Sequence, residues 1–204
     1  MAELIALLSW RTGADEAARA AVQDALRQRF RLVSNVLPSG RNAGDLLVRH
    51  DDAATDCPAD FGLGALYEDA VESADGALFE AVAEGGDPIA SPIHRTALFC
   101  ADRNRSTERL DQFERETVSL PRYVPVIQGW RLGRVTRAWG RFPWSYVWEQ
   151  GFDRPEHLTH DYMMAAAHWG YVDRWFDPEH PDQLIAPGLC HAFCHNPPGT
   201  HAAP

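Results

Sequence analysis

The chain has 204 residues, enough for one large domain or two domains of about 100 residues each. Its net charge of −10 argues against nucleic-acid binding, and because all 19 basic residues are Arg, a Schiff-base lysine is excluded. No apolar run approaches the roughly 18 residues of a membrane span, and no basic amphipathic helix is offered to a membrane surface. The short apolar run at residues 4–8 has no basic residue before it, unlike a secretory signal. We therefore predict a cytoplasmic protein with reduced cysteines.

The first half of the chain predicts the order strand, helix, strand, strand, helix. A strand over residues 4–10 precedes a helix over residues 14–30 whose apolar residues recur at helical spacing. Strands are predicted at residues 31–37 and 45–50, on either side of a Pro-Ser-Gly turn. After a loop through Cys57-Pro58, a second helix is predicted at residues 63–82. A fourth strand is not evident, unless residues 87–91 supply it.

The second half repeats this order after the Gly-Gly-Asp-Pro stretch at residues 85–88. The pattern predicts a strand over residues 94–101, a helix over 107–120 ended by Pro121, and strands around 128–135 and 145–150. A helix near residues 158–168 and a last strand at 189–195 complete a βαββαβ unit. The predicted domains are residues 1–88 and 89–196, followed by a flexible Pro- and His-rich tail at 197–204.

Three stretches of the second half resemble the Dabb family of stress-responsive dimeric α/β-barrel proteins. They are HRTALFCADR, which begins at His94, PRYVPVIQGWRLGR, which begins at Pro121, and YMMAAAHWGYVDRW, which begins at Tyr162. The resemblance implies an α+β fold in which two ferredoxin-like units pack sheet to sheet. With both units in one chain, it implies an intramolecular barrel, either as a monomer with an internal pseudo-dimer or as a homodimer. The implied partner is a small hydrophobic or aromatic ligand, without a cofactor.

The resemblance also implies a catalytic pair. Polyketide cyclases of this family use a Tyr and a His at the positions of Tyr162 and His168. His168 would remove a proton next to a carbonyl group, and Tyr162 would hold the carbonyl oxygen. His94 matches a His of those cyclases, whereas Tyr146 stands where they have another His. Ala residues at 165–166 replace the usual His-Pro, which predicts an altered helix break. The alternative is that Tyr162 and His168 only pack and hydrogen-bond locally.

Tryptophan is concentrated in the second half, which holds six of the seven residues of this type. Aromatic side chains on one side of a unit suit a pocket for a flat ligand. Trp148 and Trp169, with His94 and Tyr146, are therefore the predicted ligand-binding residues. The alternative is that most of these rings fill the core beneath the helices.

Two other clusters resemble metal or haem sites. Neither is predicted to chelate a metal ion through several side chains. The charged residues between Asp173 and Asp182 are interrupted by two prolines, and a capped turn is the favoured reading. Within CHAFCH, Cys190 and Cys194 would share a strand face about 13 Å apart, too far to chelate one ion or form a disulfide. His191 or His195 remains as a lone axial ligand for haem.

Two functions of different classes follow. The first is a cofactor-independent cyclase, isomerase or lyase that abstracts a proton from an aromatic or polyketide-like carbonyl compound. The second is a non-catalytic small-molecule-binding or stress-related protein of the same fold. They differ in whether His168 and Tyr162 converge on a cavity.

Overall fold

Eight strands and three α-helices make up the regular structure of the computed structural model, which describes residues 2–51, 60–102 and 105–196. The strands are β1 (Glu3–Trp10), β2 (Leu32–Asn35), β3 (Leu46–His50), β4 (Val71–Gly85), β5 (Ile93–Phe99), β6 (Gly129–Trp139), β7 (Tyr146–Phe152) and β8 (Cys190–His195). The helices are α1 (Glu16–Arg27), α2 (Ala65–Ala70) and α3 (Thr107–Ser119). The predicted loop through Cys57-Pro58 and the predicted tail at residues 197–204 lie outside the described residues.

All eight strands form one antiparallel sheet in the order β2-β3-β1-β4-β6-β7-β5-β8. Each half of this order is that of a ferredoxin-like unit, and the halves are joined by pairing of β4 with β6. At the other end, Val36 bridges to Cys194 and Arg41 bridges to His191, so the sheet closes on itself. The predicted α+β fold of two ferredoxin-like units in an intramolecular barrel is confirmed.

The core has one layer inside the barrel and further layers outside it. Alternate strand residues point to opposite faces, so each strand contributes to both. Inside, Ile5 and Leu7 of the first unit meet Leu98 and Val147 of the second. Outside, α1 covers the first unit with the buried residues Val22 and Leu26, and α3 covers the second unit. The helices therefore lie on the outer face of the sheet, where a space between helix and sheet can form in each unit.

The prediction of a helix over residues 63–82 is wrong for most of that segment. Only Ala65–Ala70 is helical, and residues 71–85 form β4, the missing fourth strand. Ala and Glu give this stretch high helix propensity, but β4 pairs with β1 on one side and β6 on the other. Two ladders of backbone hydrogen bonds outweigh a local preference of tenths of a kcal/mol per residue, roughly the range of the helix-propensity scale. Residues 87–91 form no strand.

The predicted helix at residues 158–168 is also different in the structure. The chain makes π-helical turns at His157–Tyr162 and His168–Val172, followed by a 3-10 turn at Asp173–Trp175. The turns are separated by a break at residues 163–165, although no proline is present there. We call residues 157–175 the wide-turn segment. Within the described ranges, the structure has no helix long and apolar enough to cross a membrane.

Candidate functional site

A cavity of about 450 Å³ lies between the outer face of the second unit's sheet and its helical layer. Its floor is formed by β5, β7 and β8, and its roof by α3 and the wide-turn segment. The lining is mostly apolar and aromatic, and includes Ile93, Phe99, Phe113, Trp148, Leu158, Val172, Phe176 and Phe193. The volume falls in the range of small-molecule sites, about 300–1,000 Å³.

Tyr162 and His168 meet at the wall of this cavity. Their rings lie 4.5 Å apart between centroids, at an interplanar angle of 59°. Both residues line the cavity, and Tyr162 is fully buried while His168 is 7% exposed. They are six positions apart in sequence, and both side chains lie on the same side of the wide-turn segment. The structure thus places the predicted pair together, with Trp148 in the same cavity.

The electrostatic environment keeps His168 neutral. Burial, with a further contribution from the Arg95 guanidinium, lowers the pKa of His168 to about 4. Nε2 lies 3.8 Å from Asp173 Oδ1, and Nδ1 is buried without a hydrogen-bond partner in the described part of the chain. Burial raises the pKa of the Asp173 carboxyl, and Asp177 adds to this effect. The imidazole therefore has a free lone pair at neutral pH and a carboxylate next to its other nitrogen.

Arg95 is a polar residue of the cavity that the sequence reasoning missed. Its guanidinium donates a hydrogen bond to Gln150 Oε1, and its Cζ lies 5.4 Å from the centre of the Tyr162 ring. Burial raises the pKa of Tyr162, an effect that Arg95 partly offsets. The signal for Arg95 was available in the sequence: it is a charged residue near the start of the predicted strand over residues 94–101, whose second half is apolar.

His191 stands beside Arg95 at the edge of the cavity. Its Nε2 is 3.4 Å from Arg95 Nη2. Burial lowers the pKa of His191 to about 3, with Arg95 and Arg41 acting in the same direction. His195 also lines the cavity, so both histidines of the CHAFCH stretch face it from β8. Neither was predicted as part of the same site as His168.

His94 lies on the other face of the sheet, inside the barrel, and does not line the cavity. It neighbours Arg95 on β5, and adjacent strand residues point to opposite faces. Its Nε2 is 3.2 Å from Glu149 Oε1, and both residues are fully buried. Strand alternation therefore separates His94 from the ligand-binding role predicted for it.

Tyr146 and Trp169 are also placed outside the cavity. The Tyr146 hydroxyl donates a hydrogen bond to Glu114 Oε1 at 2.7 Å, which anchors α3 to β7. Burial and this carboxylate raise the pKa of Tyr146. Trp169 is 56% exposed and touches the His168 ring edge-on from the solvent side. Their predicted contact with a ligand has no support from the lining of the cavity.

The charged residues after the wide-turn segment form ion pairs. Arg174 Nη1 lies 3.1 Å from Asp182 Oδ2, and Arg174 also pairs with Glu116 of α3. Arg109 pairs with Asp182 as well. These contacts fasten the turn to α3, in agreement with a structural role. Across residues 2–51, 60–102 and 105–196, no group of three or more His, Cys, Asp or Glu side chains is arranged to hold a metal ion.

The thiols of Cys190 and Cys194 lie inside the barrel, away from the cavity. Burial raises the pKa of each to about 12, so both are protonated at neutral pH. They share one face of β8, while His191 and His195 share the other. The two cysteines are therefore parts of the interior core.

Comparison with known proteins identifies the fold. No family model matches the chain, and no curated protein matches it significantly. Among solved structures, it is similar to an anthrone oxidase-like protein, with a TM-score of 0.63 and 11% identity over 95% of this chain and 90% of that one. It is also similar to a putative monooxygenase from Fusobacterium nucleatum, with a TM-score of 0.60 and 10% identity over 95% and 91%.

A heme-degrading enzyme from Listeria monocytogenes has a TM-score of 0.51 and 8% identity, over 96% of this chain and 99% of that one. At these identities the similarity establishes the fold alone. Nearly the full length of each chain is covered, so the likeness extends over both units. The predicted two-unit ferredoxin-like architecture is confirmed at the level of the fold.

Proposed function

We propose that the protein is an enzyme that binds a small aromatic or polyketide-like carbonyl compound in the cavity and removes an acidic C–H proton with His168. The observation that carries this proposal is the contact of His168 with Tyr162 at the wall of an aromatic-lined cavity of about 450 Å³. Several aromatic rings share the cavity with His168, which suits a flat ligand.

In this proposal, Nδ1 of His168 accepts the proton from carbon. The nitrogen is buried and has no partner in the described part of the chain, whereas Nε2 faces Asp173. Asp173 is a positioning residue that favours the tautomer with hydrogen on Nε2 and stabilises the imidazolium. The Tyr162 hydroxyl donates a hydrogen bond to the carbonyl oxygen as negative charge develops on it. This step uses only protein side chains.

The weak basicity of His168 limits the substrate. The conjugate acid of His168 has a pKa of about 4, so the neutral imidazole is a weak base. Such a base removes a proton efficiently only from an activated carbon, such as one between a carbonyl group and an aromatic ring. The resulting enolate can be reprotonated, close a ring or expel a leaving group, which are isomerase, cyclase and lyase outcomes. Oxygenation of the enolate by O₂ is the second candidate, favoured by the similarity to an anthrone oxidase-like protein and a putative monooxygenase.

The test is hydrogen–deuterium exchange at activated carbon, because it detects proton removal whatever follows it. We would incubate 2-tetralone with the protein in D₂O and follow the loss of the methylene signal by NMR. His168→Ala should slow the catalysed exchange on the order of a hundredfold, and Tyr162→Phe by a smaller factor. His160→Ala is the matched control, because His160 lies in the wide-turn segment but is exposed. Full exchange activity in His168→Ala would refute the role of His168.

O₂ uptake with anthrone as the probe separates the two fates of the enolate. Uptake that requires His168 supports oxygenation, while exchange without uptake supports the isomerase, cyclase or lyase class. If the wild-type protein binds these compounds but accelerates neither process, the non-catalytic binding alternative is the better description.

The haem alternative remains a prediction for His195. His191 fits this role poorly, because its Nε2 faces the Arg95 guanidinium rather than the open cavity. A Soret band on titration with haem that disappears in His195→Ala would support haem binding. The cytoplasmic location, the domain boundary at residue 88 and the choice between monomer and homodimer also stay predictions.

A further inference from the structure

Arg95 is buried at the cavity without a carboxylate partner. The residue is 6% exposed, and its polar neighbours are Gln150, which accepts a hydrogen bond, and His191. His191 is neutral, since its pKa is lowered to about 3. Within residues 2–51, 60–102 and 105–196, no acidic side chain forms an ion pair with this guanidinium. Taking an unpaired charge out of water is costly, so its position calls for an explanation.

Arg49, in the barrel interior, is a buried arginine whose charge is balanced by ion pairs. Arg49 is fully buried, and its Nε lies 3.1 Å from Glu149 Oε1. It also pairs with Glu3 and Asp51. Three carboxylates thus offset the cost of burying one guanidinium. Arg95 is nearly as buried without this compensation, and it faces a cavity instead of a packed core.

Asp173 is the acidic residue in the cavity lining, and it lies beside His168 instead of pairing with Arg95. Its carboxylate is 3.8 Å from Nε2 of His168, and its side chain is 36% exposed. Apart from Gln150 and His191, the residues around Arg95 are apolar, and Ile93, Trp148 and Phe193 are among those in the lining. The cavity therefore offers one buried positive charge in an aromatic surrounding.

We propose that Arg95 is an anion receptor and that the ligand of this cavity is an aromatic acid whose carboxylate binds the guanidinium. This inference deepens the proposed function by naming a substrate class, and it rests on that function for the role of the cavity. A planar guanidinium presents paired donors that match the two oxygens of a carboxylate. The apolar lining would hold the aromatic body of the ligand, with the carboxylate at the floor on β5.

Binding of a carboxylate to Arg95 would also change the basicity of His168. The guanidinium contributes to the lowered pKa of both His168 and His191. A carboxylate bound to Arg95 offsets this positive charge, so binding of the acid would raise the pKa of His168 towards its ordinary value. The bound acid would thus make His168 a stronger base than it is in the empty cavity.

The test compares 2-naphthoate with 2-naphthamide, a neutral compound of nearly the same shape. We would measure both affinities at pH 7 by isothermal titration calorimetry. The wild-type protein should bind the acid more tightly by a factor on the order of tenfold to a hundredfold, the value of a charge-assisted hydrogen-bonded pair. In Arg95→Met this ratio should fall to about one through loss of acid affinity, since amide binding needs no charge. Arg115→Met is the matched control, because Arg115 is exposed on α3 and does not line the cavity.

Thermal unfolding without ligand provides the second readout. An unpaired buried guanidinium destabilises the ligand-free protein. The variant Arg95→Met should therefore unfold at the same temperature as the wild type or at a higher one. Equal affinities for acid and amide in the wild type, or no acid binding, would overturn the proposal whether or not the variant folds. Strong destabilisation of Arg95→Met would also count against it, since Arg95 would then be structural.

The two proposals fail in different ways. One outcome is that His168→Ala exchanges 2-tetralone as fast as the wild type and still binds 2-naphthoate more tightly than 2-naphthamide. In that case the proposed catalysis is wrong and the anion-receptor proposal is supported. If exchange depends on His168 but acid and amide bind equally, the catalytic proposal stands and the anion receptor fails.

Discussion

The two units use corresponding positions of one fold for different purposes. Leu4 on β1 and Arg95 on β5 precede the N-cap residues of the following helices, Asp15 and Ser106, by the same number of residues. Leu4 is fully buried in the apolar core beneath α1, whereas Arg95 faces the cavity beneath α3. A core residue in the first unit thus corresponds to a charged cavity residue in the second.

The covering helices differ in the same way. By the same correspondence, Val22 and Leu26 of α1 match Phe113 and Thr117 of α3, and all four are buried. Thr117 lines the cavity, and its hydroxyl bonds to the Phe113 carbonyl oxygen at 2.8 Å. A leucine side chain that fills space in the first unit is thus replaced by a shorter threonine in the second.

The closing elements complete the difference. In the first unit, Phe61 packs between Phe30 and Tyr67, with ring centroids 6.2 Å from each. In the second unit, the wide-turn segment spans a cavity of about 450 Å³ instead. The second unit thus differs from the first by a shorter side chain at Thr117, a charged residue at Arg95 and wide helical turns in place of α2. The barrel itself is the shared scaffold.

The largest effect is expected from placing a charge in the filled unit. Leu4→Arg should lower the free energy of unfolding by about 4 kcal/mol or more, or prevent folding, because the guanidinium has no partner and no cavity there. Urea unfolding measures the change. The reciprocal variant Arg95→Leu should be neutral or stabilising. Similar losses in both variants would show that the units do not differ as described.

Removing the interior ion pair between the two units should have the next largest effect on the free energy of unfolding. Arg49 of the first unit binds Glu149 of the second inside the barrel, beside Glu3 and His94. Burial acts to raise the pKa of Glu149, but Arg49 and His94 outweigh it and hold that pKa below its usual range. Arg49→Met removes the arginine partner of the fully buried Glu149 carboxylate and should cost about 3–5 kcal/mol of unfolding free energy.

An exposed ion pair supplies the control for Arg49. Arg27 pairs with Asp24 on α1, and their side chains are 51% and 71% exposed. Arg27→Met should cost less than about 1 kcal/mol, since solvent screens the charges. A loss in Arg49→Met as small as this would contradict a role for the interior ion pairs in joining the units.

The sequence was sufficient for the architecture because strand alternation and helix periodicity are local patterns. Seven of the strands and the helices α1 and α3 follow such patterns, and a family resemblance supplied the barrel. The sequence was misleading at β4, where Ala and Glu favour a helix locally. There, two neighbouring strands distant in sequence decide the conformation. The alternation of Ala77, Leu78 and Phe79 between the two faces was the missed signal.

The candidate site was predictable in part for the same reason. Tyr162 and His168 lie on one short segment, so a local sequence motif was enough to predict that they belong to one site. Arg95 and His191 belong to separate strands whose pairing places them side by side, a non-local fact. His94 was assigned to the site because it matches a His of the related cyclases, but the pleat directs it to the interior.

Acid should weaken the second unit by a smaller amount. The pKa values of His168 and His191, about 4 and about 3, lie below the roughly 6.5 of an unfolded histidine. The unfolded chain therefore binds more protons, so this stabilisation is complete above about pH 6.5 and is lost as the pH falls towards the folded values. We expect a loss on the order of 1–3 kcal/mol by pH 4.

Hydrogen exchange locates that loss. At pH 5, amides of the wide-turn segment should open before those of α1. In the double variant His168→Gln/His191→Gln, the fall in stability between pH 7 and pH 4.5 should shrink, while the behaviour of α1 should not change. Earlier opening of α1 than of the wide-turn segment would assign the acid sensitivity to the first unit instead.

The smallest effect is expected from making the second unit resemble the first at one helix position. Thr117→Leu introduces the residue found at the corresponding Leu26 and extends apolar volume into the cavity. The gain from buried methyl groups should raise the free energy of unfolding by about 1 kcal/mol or less, since the exchanged hydroxyl bonds only within its own helix. The same change should weaken 2-naphthamide binding by reducing the cavity, while Thr117→Val, nearly equal in size to threonine, should leave binding unchanged. Weaker binding in both variants would mean that the hydroxyl, rather than the space beside it, is what the ligand needs.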